Sequence, residues 1–477
     1  MWRSCIIPHT SCSLCSIGKI FSLQGKIDEA ANFLEQALEI KKVRVDKTHS
    51  SLAETKHILG SIYIKNERYA DAISLLNSAL SSYNKTRDCE LLSSDVLDLL
   101  GHAHAATGDM LGAISVYQQS LKIKRASLGP DHISCGNVLM EIGRLQVSNN
   151  DLEDSLRTFK EVKRLYKIHY KRDHLKNSDM LVQVGSVQAS RTNHDVALKC
   201  FMEALRIRRM LIQEEKSNEV SEILVHLGRV YQQLFDHKAA IQCFQQALGS
   251  SDKHDDTFVF TVRRLLGTSF VKNEDYYDAV TCLEECLAFQ ENTSGCDSNN
   301  EWISIAYDLA TAKIKFGDDA GTVLEKCIFL AKENGLIDER LANALFQYGN
   351  VISKDRPQKA LCYFEEALAI KKDVGASPIE LSEVLYEIGL MHETSKEYNL
   401  SIESYQESLT LRQSTNTEDE LTADILFRLG EVYRMCGKLD LAYNSLTVAL
   451  GAYYMAVGKN HTSVANTFHS LGYICGE

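Results

Sequence analysis

A chain of 477 residues with 44% apolar side chains holds enough for a continuous core, and its length alone suggests about three globular domains. A net charge of −12 argues against general affinity for nucleic acid or for an anionic membrane surface. No apolar run approaches the roughly 18 residues needed to span a bilayer, and the opening MWRSCIIPHTSCSLC has too short an apolar stretch, Cys5 to Pro8, for a secretory signal. Four prolines suit an all-helical chain, and fourteen cysteines are too sparse for a disulfide scaffold. Cys200, Cys243, Cys282, Cys286, Cys327 and Cys362 read as buried free thiols, which points to a reducing, cytoplasmic setting.

In chain order, residues 1–10 form a short extension, and a helix–turn–helix pattern then repeats from residue 11 to 477. A small marker residue recurs at Gly18, Gly60, Gly101, Gly143, Gly185, Gly228, Gly267, Ala310, Gly349, Gly389, Gly430 and Gly472, about 42 residues apart. Each marker up to Gly430 is followed by a small residue, then a large apolar one, then another small one, at helical spacing. Ala30, Leu34 and Ala37 open the series, Ala240, Phe244 and Ala247 are its clearest case, and Ala442, Leu446 and Ala449 close it. A missing side chain in the first helix lets the second approach, and the bulky residue fills the gap. The eighth unit is the weakest, with Ala310 as marker, a short turn and a polar loop, Glu291 to Asn300, before it; the stretch 291–330 is the expected hinge. The last unit ends one helix in, at Glu477, without a polar cap. That favours a fragment or a chain that pairs with another surface.

The order Leu227, Gly228, Tyr231, Ala240, Phe244 and Ala247 resembles the tetratricopeptide repeat, whose usual period is 34 residues. Apolar continuations such as Leu205, Ile207 and Leu211 predict a second helix up to two turns longer. The longer unit is similar to the repeats of kinesin light chains and nephrocystin-3-like arrays, although the paired Asn often found before the marker in kinesin light chains is replaced by His57-Ile58-Leu59 and its equivalents. The resemblance implies an all-α, right-handed superhelix (an α-solenoid) of about eleven helix pairs plus a trailing helix.

Candidate chemistry is thin. Gly18 to Lys26 and Gly430 to Lys438 have the wrong spacing for a phosphate loop and lack Ser or Thr after the Lys. His102 and His104 point to opposite sides of a helix, and Cys12-x-x-Cys15 has no second ligand pair nearby in sequence. His49, His132, His174 and His461 lie eleven residues before four of the glycines and are expected to fix the start of the next first helix. With no catalytic motif, the expectation is a non-enzymatic chain that uses no cofactor or metal.

The tetratricopeptide resemblance further implies that first helices line a concave groove. The positions it assigns there are Arg144, Arg229, Gln232, Gln233, Arg264, Lys272, Lys315 and Lys354, a basic and amide-rich patch, and Tyr307, Phe346, Tyr386 and Phe427, an aromatic stripe. The expected partner is a peptide or protein, acidic and with an aromatic or apolar anchor. Acids six residues before the marker, among them Glu54, Asp179 and Asp424, and basic runs such as Lys41-Lys42 and Arg206 to Arg209 are read as charges favoured at helix ends. A carboxylate clamp is not visible, because Asp98 stands where it needs a cation. The functional expectation is a protein-interaction scaffold. The alternatives are a regulatory arm of a larger protein and a kinesin light chain-like cargo adaptor.

Overall fold

A computed structural model describes residues 3–44, 49–85, 89–211, 218–250, 255–293, 299–415 and 419–476. Among them are 23 α-helices and no strand. They fall into two compact units, Met1–Lys253 and His254–Glu477. The first unit holds six pairs: α1 (Arg3–Leu23) with α2 (Ile27–Arg44), α3 (Ser50–Lys65) with α4 (Tyr69–Tyr83), α5 (Glu90–Ala106) with α6 (Met110–Leu128), α7 (Ile133–Ser148) with α8 (Leu152–His169), α9 (Leu175–Ser190) with α10 (His194–Leu211), and α11 (Asn218–Gln233) with α12 (His237–Gly249). The second holds five pairs and a trailing helix: α13 (Asp256–Lys272) with α14 (Tyr276–Thr293), α15 (Asn299–Phe316) with α16 (Gly321–Glu333), α17 (Glu339–Ile352) with α18 (Pro357–Val374), α19 (Pro378–Thr394) with α20 (Tyr398–Ser414), α21 (Glu420–Met435) with α22 (Leu439–Ala456), and then α23 (Thr462–Gly476). Within each unit, helices adjacent in the chain pack on one another. Of the polar loop before α15, residues 294–298 lie outside the described residues.

The notch expected at the marker holds the pairs together. A Cβ built on Gly228 would sit 2.4 Å from Phe244 Cε1, and one on Gly143 2.5 Å from Phe159 Cε1. Phe244, Ala240 and Ala247 are wholly buried, so ring and notch interlock. The same three positions are buried in every pair, from Ala30, Leu34 and Ala37 to Ala442, Leu446 and Ala449. Where the second small residue is Ser or Cys, it also donates to a first-helix carbonyl: Ser120 to Ser94 O (3.1 Å), Ser408 to Ser382 O (2.7 Å), Cys327 to Ile303 O (3.6 Å). The carbonyl lies seven residues before the marker each time, so the donor costs no unsatisfied buried group.

The phased histidines cap the first helices. Nδ1 of His49, His132 and His174 accepts from Ser51 N (3.2 Å), Ser134 N (3.2 Å) and Lys176 N (3.1 Å), and His461 does the same for Ser463 N at 3.4 Å. Each cap satisfies one of the orphan donors at a helix start.

Two expectations are corrected. The six cysteines are not equivalent. Cys286 and Cys327 occupy the small position and are buried, Cys200, Cys243 and Cys282 are half-buried, and Cys362 is exposed on the outer side of α18. Burial pushes the Cys286 and Cys327 thiols up to about 12. The basic residues near second-helix ends are also more than dipole complements. Twenty-three residues after the marker, Lys41, Lys124, Arg208 and Arg412 turn inward and are almost wholly buried. Lys41 Nζ donates to Thr55 Oγ1 (2.8 Å) and Ser51 O (3.1 Å) on the next first helix. Lys124 donates to Asp98. Arg208 reaches Ser178 Oγ (3.1 Å), Asp179 and Glu219. Arg412, 1% exposed, reaches Ser382 Oγ (2.9 Å) on its own first helix, and Thr422 Oγ1 (3.0 Å) and Asp419 at the start of the next. In the last pair Tyr453 takes this place and donates to Asp424. Asp179 and Asp424, read as helix-end charges, are thus the acceptors of these joints. The helical period places this position back on the apolar stripe, where a charge must be paired.

Candidate functional site

Each first helix presents one face away from its partner helix. In the first unit, Arg144 is exposed on α7 and pairs with Glu141 at 3.1 Å. Arg229 and Gln233 are exposed on α11, and Gln232 is half-buried between them. His226 stacks on Phe201 with ring centroids 5.2 Å apart; burial and then the Arg229 charge push its pKa down. Arg229 therefore sits beside a neutral, stacked imidazole.

In the second unit, α13, α15 and α17 bring several groups together. Thr268 Oγ1 donates to Asp308 Oδ2 at 3.0 Å. Burial raises the Asp308 pKa, and the Thr268 hydroxyl, Lys272, Arg340 and Arg264 pull against that rise. Four side chains from three first helices therefore share one neighbourhood: Arg264 and Lys272 from α13, Asp308 from α15 and Arg340 from α17. Arg264 lies 3.8 Å from Glu301, and its Nε is shut off from water with no hydrogen bond. Gln347 Nε2 donates to Thr311 Oγ1 at 3.3 Å, while its Oε1 is likewise buried and unpartnered. Lys272 is the last residue of α13, Lys315 is next to last in α15, and Lys354 lies just past α17; all three are exposed. At helix C-termini these cations also complement the backbone dipole.

The four aromatics at the minus-three position are half-buried. Phe346 meets Phe364 with centroids 5.8 Å apart, Tyr386 meets Tyr405 at 5.9 Å, and Phe427 meets Tyr453 at 6.5 Å. Tyr307 has its hydroxyl pKa raised by burial, against hydrogen bonds with Thr311 and Asn343. Phe346, Tyr386 and Phe427 thus each set part of the ring against their own unit's second helix and stay partly exposed. Next to the rings of α19 and α21, Arg428 Nη1 lies 3.4 Å from Glu393 Oε1, and Tyr405 donates to Glu393 Oε2 at 2.9 Å. Burial raises the pKa of Glu387, with Arg428 pulling it back.

Sequence reasoning missed the position two before the marker. Asp308, Gln347, Glu387 and Arg428 occupy it in four successive units, all half-buried. A signal was present: on a helix this position shares a face with residues three and seven further on, such as Arg229 and Gln233, already assigned there. Because two of the four are acids, Asp308 and Glu387, the first-helix face expected to be basic and aromatic also carries negative charge.

Among the described residues no group of His, Cys, Asp or Glu could hold a metal ion, and no helix is long and apolar enough to cross a membrane. His104 Nδ1 lies 3.0 Å from Asp109, at the turn of its own helix pair.

One family model described as tetratricopeptide repeat matches residues 91–168 and 177–252, and a second with the same description matches 13–43, 53–86 and 382–415, together just over half of the chain. The chain belongs to the tetratricopeptide repeat family. A search of curated proteins returns no match. Among solved structures, this tetratricopeptide chain is similar to BtubC (BKLC) from P. vanneervenii, with 17% identity, 53% of this chain and 94% of that one covered, and a TM-score of 0.40. It is also similar to the nearly identical TPR-like repeats of a candidate kinesin light chain from Podosopora anserina, with 18% identity, 42% and 94% covered, and a TM-score of 0.38. Tetratricopeptide repeats are commonly protein–protein interaction modules, and no catalytic domain is matched.

Proposed function

We propose that the chain is a non-catalytic scaffold that holds a peptide or protein partner against its first-helix faces, and that the partner segment is acidic with an aromatic or apolar anchor. One observation carries the reading: beside Lys272 and Arg340, Arg264 keeps an Nε–H buried without an acceptor. A buried guanidinium N–H with no partner is costly to keep, and the part of the Arg264 side chain that stays exposed, with Lys272, would meet an incoming carboxylate. Tyr307, on the next first helix, and the rings of Phe346, Tyr386 and Phe427 supply apolar surface for the anchor. The setting is cytoplasmic; the twelve cysteines from Cys12 to Cys475 whose side chains are described are free, in keeping with that.

The test is charge reversal. Arg229→Glu, Arg264→Glu and Lys272→Glu together abolish capture of acidic peptides from a peptide array, while the helical circular-dichroism signal is kept. Unchanged capture by the triple variant ends the reading.

A further inference from the structure

The first-helix faces leave one feature unused. Residues 157–176, RTFKEVKRLYKIHYKRDHLK, carry eight Lys and Arg against two acids in a chain of net charge −12. They form the second half of α8 and the loop into α9, on the side of the unit where second helices are outermost. There, between α8 and α10, lies a cavity of about 390 Å³. Its floor is apolar: Met180 and Leu181 of α9, Ile207 of α10 and the Tyr170 ring, which stacks on His174 with centroids 4.0 Å apart. Its rim is cationic: Lys163, Lys167 and Arg172.

The repeat supplies internal controls. The same groove recurs between α2 and α4, with about 440 Å³, and between α4 and α6, with about 380 Å³. The first is lined by Glu35, Glu39 and Asp71 against Lys42 and Arg68, and Arg68 is engaged by Asp71 at 2.7 Å. The second has Glu90 against Lys122, with Asn84 and Gln119. The cavity is thus a by-product of helix stacking, but of these three only the one between α8 and α10 has a cationic rim. Glu203, the only acid lining it among the described residues, is already committed: Arg206 at 2.8 Å, and then Arg172 at 3.2 Å, hold its carboxyl at about 2. Lys163 and Lys167 have no acidic partner among the described residues. Lys163 leans across towards α10, where its charge opposes the upward push of burial on the Cys200 thiol.

We infer that this groove is a second docking surface, on the side opposite the first-helix faces, for an acidic peptide segment of a partner protein. One large apolar side chain enters the cavity, and flanking carboxylates meet Lys163, Lys167 and Arg172. A peptide fits better than a lipid surface because the apolar floor is recessed. Met180 and Ile207 are 3% and 1% exposed and project nothing into a bilayer.

The experiment is selection of a displayed library of random dodecapeptides on the intact chain. The expected result is a class with one Leu, Ile or Phe between Asp and Glu residues. Its affinity falls about tenfold or more in Lys163→Glu/Lys167→Glu, and falls in the milder Lys163→Ala/Lys167→Ala. It persists in the equivalent-groove variant Lys122→Glu and in the triple variant Arg229→Glu/Arg264→Glu/Lys272→Glu. That last comparison separates this surface from the first-helix reading, so either can fail alone. Lys163 and Lys167 are exposed, and an unchanged melting curve checks the fold. The inference is overturned if no enriched class depends on these two lysines, or if they instead recruit the chain to phosphatidylserine vesicles while no such peptide class exists.

Discussion

Gly228→Ala tests the interlock that builds every pair. The added Cβ would lie 2.4 Å from Phe244 Cε1 and 2.7 Å from Cζ, where carbon atoms prefer about 3.5–4.0 Å. Phe244 is completely buried, with Ala240 and Ala247 equally enclosed on the same helix. The ring has nowhere to swing, so α11 and α12 must part by roughly an ångström. Overpacking of this kind costs about 1–3 kcal/mol. Alanine returns about 1 kcal/mol over glycine through helix propensity, leaving a net loss of between about 0 and 2 kcal/mol. The eighth unit accommodates a marker Cβ: there an alanine, Ala310, is paired with a leucine, Leu324, across a shortened turn, and both are fully buried. Gly228→Ala/Phe244→Leu should therefore be more stable than the sum of its single changes by about 1 kcal/mol. Urea unfolding followed by circular dichroism gives the global effect. Because stacked repeats need not unfold all at once, amide exchange over α11 and α12 locates the loss. A Gly228→Ala chain more stable than the parent, or strictly additive changes in the double variant, would falsify the interlock.

Three further outcomes are expected. Arg412→Ala strips the acceptors on α19 and α21 of a buried cation and should cost about 3 kcal/mol; Arg412→Lys, keeping charge but losing the fork, should cost less, both read as urea midpoints. Asp308→Asn should raise the melting temperature at pH 7. The folded-state carboxyl has a raised pKa, so its ionisation opposes folding above the ordinary carboxylate range, and the advantage of Asn disappears as pH falls through that raised value; a variant that melts lower at pH 7 would contradict the burial argument. His132→Ala removes the cap on Ser134 N and should cost about 1 kcal/mol. Faster amide exchange would be confined to the first turn of α7, and His132→Asn would restore most of the protection.

Markers such as Gly18 and Gly430, and the buried trio after each, were legible because notch and knob are one-residue statements repeated in phase. Any one unit could mislead, but eleven in register do not. Cys362 shows where that legibility fails. It looked equivalent to Cys327, yet it lies two residues after the first small residue, Ala360, whereas Cys327 lies seven after Ala320, and a five-residue difference turns the side chain to another face of the helix. Lys41, Lys124, Arg208 and Arg412 were visible as charges, but charge alone does not say which way a side chain turns. Only counting forward from the marker places them on the apolar stripe. Position and polarity also fell short for Asp308. Its neighbours Arg264 and Arg340 stand on different helices, about 40 residues away along the chain, and no local pattern encodes their meeting.

The buried joints that cross to the next pair, at Lys41, Arg208 and Arg412, bear on how the chain finds its own order. Glycine notches and aromatic knobs are interchangeable from pair to pair, so a slipped assembly, with one pair skipped or borrowed from another molecule, would still bury its grease. The joints are not interchangeable: Arg412 wants Asp419 and Thr422, whereas Lys41 wants Thr55 and the Ser51 carbonyl. Offering Arg412 the wrong neighbour strands a guanidinium in a dry seam, a penalty of several kcal/mol. A chain of near-identical links therefore carries a lock at each of these links that only the proper successor opens, which guards it against swapped and mis-stacked forms.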